Sequence, residues 1–251
     1  MSAKKETLGR TVGVVVAVCL VCSIIVSTAA VGLRSQQNAN ALLDKQTNIL
    51  EAAGLLKDAG GDIAGTYQNL VEEKFVDLAT GQYVDKDAGY DMYKAARDPE
   101  HSIKPVPDTA GILRRANVAS VYLIKDESGT VSRIVLPVHG SGLWNLMYGM
   151  LSLDNDGNTI RELVYYDQKE TPGLGGEVQN PQWKALWSGK KLHKAGELAI
   201  KVKKGAGTDD PYAVDALSGA TLTSNGVQNT LDYWLGENGF GPYLKKQPWK
   251  S

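Results

Sequence analysis

Residues 118 to 168 read VASVYLIKDESGTVSRIVLPVHGSGLWNLMYGMLSLDNDGNTIRELVYYDQ, and this stretch decides the fold. VASVYLIKD, TVSRIVLPVHG, LMYGMLSLD and TIRELVYYDQ are rich in Val, Ile, Leu and Tyr, and they lie around Glu127-Ser128-Gly129 and Asn155-Asp156-Gly157-Asn158. β-Branched and aromatic side chains suit a pleated surface and glycine-bearing turns reverse the chain, so these runs predict antiparallel hairpins. Val131, Arg133, Val135 and Pro137 alternate with Ser132, Ile134, Leu136 and Val138, which predicts one buried face and one mixed. Pro137 cannot donate to a ladder, so an edge or a strand end is expected there.

Toward the C-terminus, Glu197 to Lys204 reads as a further strand, and Gln182 to Leu186 and Val227 to Leu235 as helices. Strands and flanking helices together make the class α+β. Toward the N-terminus, residues 83–114 are charged and carry Pro99, Pro105 and Pro107, which predicts short helices and loop. Ile63 to Leu78 reads as a helix closed by Gly81. Leu42, Leu43, Ile49, Leu50, Leu55 and Leu56 recur near helical spacing and mark a helical stalk that Asp58 to Asp62 ends.

Thr11 to Leu33 holds no charge and has transmembrane length. Ser27-Thr28-Ala29 resembles a signal-peptide cleavage site, but the apolar run exceeds the roughly 7–15 residues of such a segment, so a retained anchor is the preferred reading. Lys4, Lys5 and Arg10 precede the span and Arg34 follows it, which predicts a cytoplasmic N-terminus. The expected organisation is a cytoplasmic segment 1–10, a transmembrane helix 11–33, a helical stalk 34–58 and one periplasmic domain 59–251. Cys19 and Cys22 lie inside the span and the chain has no others, so the soluble part must hold without disulfides. No His, Asp or Glu lies within the span to complete a metal site there, and the pair reads as small lipid- or helix-facing residues.

A formal charge of -1 gives no basic excess for neutralising phosphates, which argues against nucleic-acid binding. With 27 Gly, 11 Tyr and 5 Trp against 2 Phe, the composition suits turns, strands and aromatic-lined pockets. His101, His139 and His193 sit in unrelated contexts without an acidic cluster, so no metal site is expected.

The segment DALSGATLTSNGV, Asp215 to Val227, crowds small residues and hydroxyls before a helix whose stripe is Val227, Leu231, Trp234 and Leu235. Thr223 or Ser224 would cap that helix and Gly236 would follow it. A helix N-terminus offers unpaired N–H groups and a positive dipole end, which suits a phosphate. A simple capped turn accounts for the same spacing. Glu170-Thr171-Pro172-Gly173-Leu174-Gly175-Gly176-Glu177 is a second special loop, and Leu143 and Trp144 could wall a planar ring or pack in the core.

Asp215-x-x-Ser218-Gly219-Ala220-Thr221 resembles the D-x-x-(S/T)-G-A-T acceptor motif of covalently flavinylated FMN-binding domains. SGATLTSNGVQNTLDYW, the single span and ETPGLGGEV together resemble the C subunits of sodium-translocating NADH:quinone oxidoreductases. The short motif also fits the G subunits of Rnf-type complexes, and a stand-alone extracytoplasmic flavin reductase is a further alternative. The resemblance implies a phosphoester of FMN on Thr221, with Thr223 as the alternative acceptor, placed there by a flavin transferase that uses FAD and a divalent cation. It assigns Asp215 to transferase recognition or loop orientation, and Ser218, Gly219 and Ala220 to the phosphate. Glu170, Thr171, Leu174 and Gly175 are then expected near the flavin, with Leu143 and Trp144 as its wall; on the strand at Glu197 to Lys204, alternation could place Lys203 beside flavin or phosphate, or on a solvated face. The implied role is a flavoprotein relay, not catalytic alone, within a bacterial inner-membrane complex of six subunits that passes electrons to quinone. No G-x-G-x-x-G fingerprint occurs, so NADH oxidation falls to the other members of that complex.

Overall fold

The computed structural model describes residues 8–87 and 89–250; Lys4 and Lys5, which carry part of the orientation argument, lie outside the described residues. The chain begins with α1 (Leu8–Ala52), α2 (Ile63–Leu70), β1 (Val71–Asp77), β2 (Gln82–Tyr83), α3 (Met92–Ala95), β3 (Ser102–Ile103) and β4 (Arg115–Ala116). It continues with β5 (Val118–Lys125), β6 (Val131–Ser141), β7 (Leu146–Asp154), β8 (Ile160–Asp167) and α4 (Pro181–Ala185). The last part holds β9 (His193–Lys194), β10 (Glu197–Leu198), β11 (Lys201–Lys203), β12 (Ala213–Asp215), α5 (Thr221–Trp234) and α6 (Gly241–Lys246). Two units result, residues 1–45 and residues 46–251.

In the first unit α1 is long and apolar enough to cross a membrane, and its apolar part is unburied. The span and the stalk are one continuous helix, because no Pro or turn-forming cluster interrupts Thr11 to Ala52. The boundary expected at 58/59 falls inside the second unit: Ile49, Leu50, Ala52 and Ala53 belong to its core.

The second unit is built on a six-stranded antiparallel sheet in the order β2-β1-β5-β6-β7-β8. All four runs read from the sequence are strands. Both faces are covered, where one mixed face was expected. Tyr122, Ile124, Val135, Met150 and Val164 point to one side and pack on Ile49, Ala52 and Ala53. Leu123, Ile134, Leu136, Leu151 and Leu163 point to the other and share a core with Val227, Leu231 and Trp234 of α5. The end of α1 supplies the cover that turns the mixed face into a core, a partner invisible to local periodicity.

Two local expectations are corrected and a third is refined. Ile63–Leu70 is helical, but Val71–Asp77 is a strand, pairing from Val71↔Ile124 to Asp77↔Val118. Val71, Phe75 and Val76 favour a sheet once one is offered. Pro137 lies inside β6 and not at its end, paired with Met150 on β7, and the edge expected there is a local one. Pairing with β5 stops at Val135, so no ladder bond on that side needs the missing N–H. The strand expected at Glu197 to Lys204 is split into β10 and β11, which pair with different partners.

His139 on β6 is buried between Tyr93, Tyr148 and Trp234, and burial pushes its imidazole down to about 4. With the folded pKa depressed, the unfolded chain protonates first; the contribution is whole above about pH 6.5 and fades as pH falls toward 4. Up to about 3 kcal/mol of stability should disappear over that window. Thermal unfolding at pH 7 and pH 4.5 checks this, and a His139→Phe chain should show a smaller fall in Tm between the two.

Candidate functional site

α5 builds the site. Val227, Leu231 and Trp234 bury its apolar face, and the Trp234 Nε1–H donates to the His139 carbonyl at 2.6 Å, pinning the helix to β6. Nearer its start, Gly226 lies so close to β6 that a Cβ would sit 2.3 Å from the Ser141 carbonyl oxygen. The first turn is thereby brought beside the β6–β7 loop.

The helix starts earlier than its local sequence suggests. Thr223 and Ser224 are not its caps; Thr221 is the first helical residue, Ala220 holds the cap position and no side chain caps the end. The Thr223 hydroxyl donates to Glu170 Oε2 at 2.5 Å. Ser224 Oγ donates to the Ala220 carbonyl and accepts from the Leu217 N–H, each at 3.0 Å. For Thr223 a bond available only in the folded chain won over local capping, while Ser224 bonds within the preceding seven residues. Gly219, at φ +71, makes the turn that admits the helix, a conformation that costs glycine little.

A cleft of about 220 Å³ joins three segments far apart in sequence. It is lined by Leu143, by Thr171, Leu174 and Gly175 from the loop after β8, and by Gly219, Ala220, Thr221, Leu222 and Thr223. Trp144 stands beside it, its Nε1–H donating to Thr171 Oγ1 at 3.2 Å. Leu143, Trp144, Leu174 and Leu222 are 48%, 67%, 44% and 59% exposed, and such apolar groups gathered in water mark a binding surface. Apolar side chains around a helix N-terminus suit a planar, partly apolar molecule that carries an anionic group.

Glu170, expected among the ligand contacts, is buried behind the cleft. Its Oε1 accepts from the Leu143 and Trp144 N–H groups, each at 3.0 Å, and its Oε2 from Thr223. One carboxylate therefore ties the β6–β7 loop to the first turn of α5. Three charge-assisted bonds offset the cost of burying it.

Lys203, Asp215 and Ser218 do not line the cleft. Lys203 lies on the exposed side of β11, where its ammonium binds Asp210 at 3.0 Å, so strand alternation and a nearer carboxylate keep it away. The Asp215 carboxylate accepts from the Gly205 N–H at 2.8 Å and holds the β11–β12 connection. Ser218 is exposed next to Gly219. Leu222 escaped the sequence reading, although a leucine before the stripe that begins at Val227 was its signal. A larger groove of about 630 Å³ beside Glu72, Lys74, Lys125 and Trp249 is a poorer candidate, since Glu72 already pairs with both lysines at 2.7 and 2.8 Å. Among the described residues no group of three or more His, Cys, Asp or Glu is placed to hold a metal.

Residues 142–236, which contain the whole cleft, match the family model of the FMN-binding domain. The chain is 54% identical over 252 residues to the C subunit of the Na(+)-translocating NADH-quinone reductase of Vibrio vulnificus, covering 97% of each chain. It is 49% identical over 248 residues to that of Yersinia pestis, covering 96% of this chain and 93% of the other. The crystal structure of Shewanella oneidensis NqrC matches with a TM-score of 0.76 and 37% identity, over 80% of this chain and 95% of that one. The corresponding protein from Parabacteroides distasonis matches with a TM-score of 0.68 and 30% identity, over 84% and 96%. With fold, cleft and near-full-length similarity in agreement, the chain belongs to the NqrC family, the C subunits of Na(+)-translocating NADH-quinone reductases.

Proposed function

We propose that the cleft holds FMN through a phosphoester on Thr221, and that the chain relays electrons inside a membrane-bound sodium-translocating NADH:quinone reductase. The observation that carries this is the meeting of an exposed Thr221, at the uncapped start of α5, with four exposed apolar side chains. The residues fit the group. First-turn N–H groups of α5 would orient the phosphate, and Leu143, Trp144, Leu174 and Leu222 would keep water from the ring. Thr171 and Gly175 stand where they could hydrogen-bond its edge. Bound there, FMN supplies one- and two-electron transfer, tuned by the groups around it.

Thr221 acts as a tether. On attachment its hydroxyl proton is released to solvent, an Oγ–P bond forms and the pyrophosphate bond of FAD breaks with AMP leaving, on a separate flavin transferase that needs a divalent cation. A tether keeps the effective concentration of flavin high where a dissociated one would be lost. That advantage fits a periplasmic domain, with residues 1–10 cytoplasmic and 11–33 crossing the bacterial inner membrane. The other members of a complex of six subunits would supply NADH oxidation and the route to quinone.

The full chain, coexpressed with a flavin transferase, should gain the mass of FMN less one water, and none without the transferase. Purified alone, it should show no NADH:quinone turnover above the blank. Turnover by the isolated chain would instead make it a stand-alone reductase, and an unchanged mass would exclude the tether.

A further inference from the structure

We propose that Glu170 selects the acceptor hydroxyl, restricting attachment to Thr221 by holding Thr223 inside the fold. This rests on the reading of Thr221 as the attachment point. Four hydroxyls lie in the segment SGATLTS, those of Ser218, Thr221, Thr223 and Ser224. An acceptor needs an accessible oxygen facing the incoming phosphate. Ser224 is buried and committed to Ala220 and Leu217. Ser218 is exposed but outside the cleft. Thr221 and Thr223 both line the cleft, so chain position alone does not separate them.

What separates them is the carboxylate. Thr223 is 1% exposed and its proton is donated to Glu170 Oε2, which turns the oxygen toward the interior. Glu170 Oε1 simultaneously holds the Leu143 and Trp144 N–H groups, closing the loop over the same point. Thr221, the first residue of α5, is exposed in the cleft. Glu170 is thus a positioning residue: it acts through Thr223 and the loop.

The test compares full-length wild type, Glu170→Ala and Thr221→Ala/Glu170→Ala, each coexpressed with a flavin transferase and read by peptide mass spectrometry of the modified segment. An alanine removes the acceptor of the Thr223 proton and that of the loop, so both clamps open; a glutamine would not serve, because its amide can donate to the Thr223 oxygen while its carbonyl accepts from the loop. Wild type should carry flavin on Thr221 alone. Glu170→Ala should lose at least half of that label and carry flavin on Thr223 as well, and the double variant should be labelled on Thr223. A merely structural Glu170 would lower the total without moving it, so loss without relocation, or unchanged labelling, overturns the proposal. Should Glu170→Ala be insoluble, Glu170→Asp shortens the reach toward Thr223 and is read by the same criterion. A wild type without label, or a Thr221→Ala single variant labelled as brightly as wild type, would instead refute the attachment reading.

Discussion

A Thr221→Ala chain, coexpressed with a flavin transferase and run on a denaturing gel, is expected to be dark where wild type fluoresces. The loss should be to background, because nothing in the cleft can replace the hydroxyl while the Glu170 clamp is intact. Thr223 and Ser224 are 1% and 3% exposed with their protons committed, and Ser218 lies outside the lining. Thr221 is exposed, so its truncation should change stability by no more than about 0.5 kcal/mol. A dark band from a normally folded chain therefore reports attachment and not misfolding. Thr221→Ser restores the hydroxyl and should restore fluorescence. Equal fluorescence from wild type and Thr221→Ala would sink the covalent assignment.

The second large effect is on the fold and, through it, on the cleft. Gly226→Ala puts a Cβ 2.3 Å from the Ser141 carbonyl oxygen and 3.2 Å from Gly142 Cα, both backbone atoms that cannot rotate away. Relief requires α5 to lift from β6, which strains the Trp234–His139 bond at one end and the Glu170–Thr223 bond at the other. Overpacking of this kind costs about 1–3 kcal/mol, and a backbone clash belongs at the upper end. In a unit of this size about 3 kcal/mol lowers Tm by roughly 6–12 °C. Flavin loading should fall as well, since the first turn moves away from Leu143. Asn229→Ala, on the exposed side of the same helix, is the control and should stay within about 0.5 kcal/mol of wild type. A Gly226→Ala chain with wild-type Tm and loading would show that the close approach is not needed.

The strands from Val118 to Asp167 were legible because each writes its own periodicity and carries its own turn. β1 was not, since VEEKFVD continues the helical pattern of α2 and becomes a strand only because β5 presents an open edge. The stalk misled in a related way. Its leucines and Ile49 show a helix, but not that Ile49 and Ala52 are covered by Tyr122, Ile124 and Val135. Within the site, Leu143, Thr171, Leu174, Gly175 and Thr221 were all named from sequence and do meet in one cleft. For Lys203 alternation left a flavin side and a solvated side open, and the carboxylate of Asp210 holds it on the exposed one.

The sequence by itself determined the apolar span, the hairpins and the phosphate-suited loop before α5, all of which are written in residues near one another along the chain. It left Thr221 and Thr223 as acceptor and alternative two positions apart, and the physics of the local segment offered Thr223 or Ser224 as the cap. Only the tertiary structure decided where the helix starts and which hydroxyl stays accessible. The reason is energetic: the buried Glu170 carboxylate, 53 residues away from Thr223, needs a donor, and satisfying it outweighs a local cap. Helix α5 therefore begins at Thr221, with the Thr223 hydroxyl turned inward to Glu170.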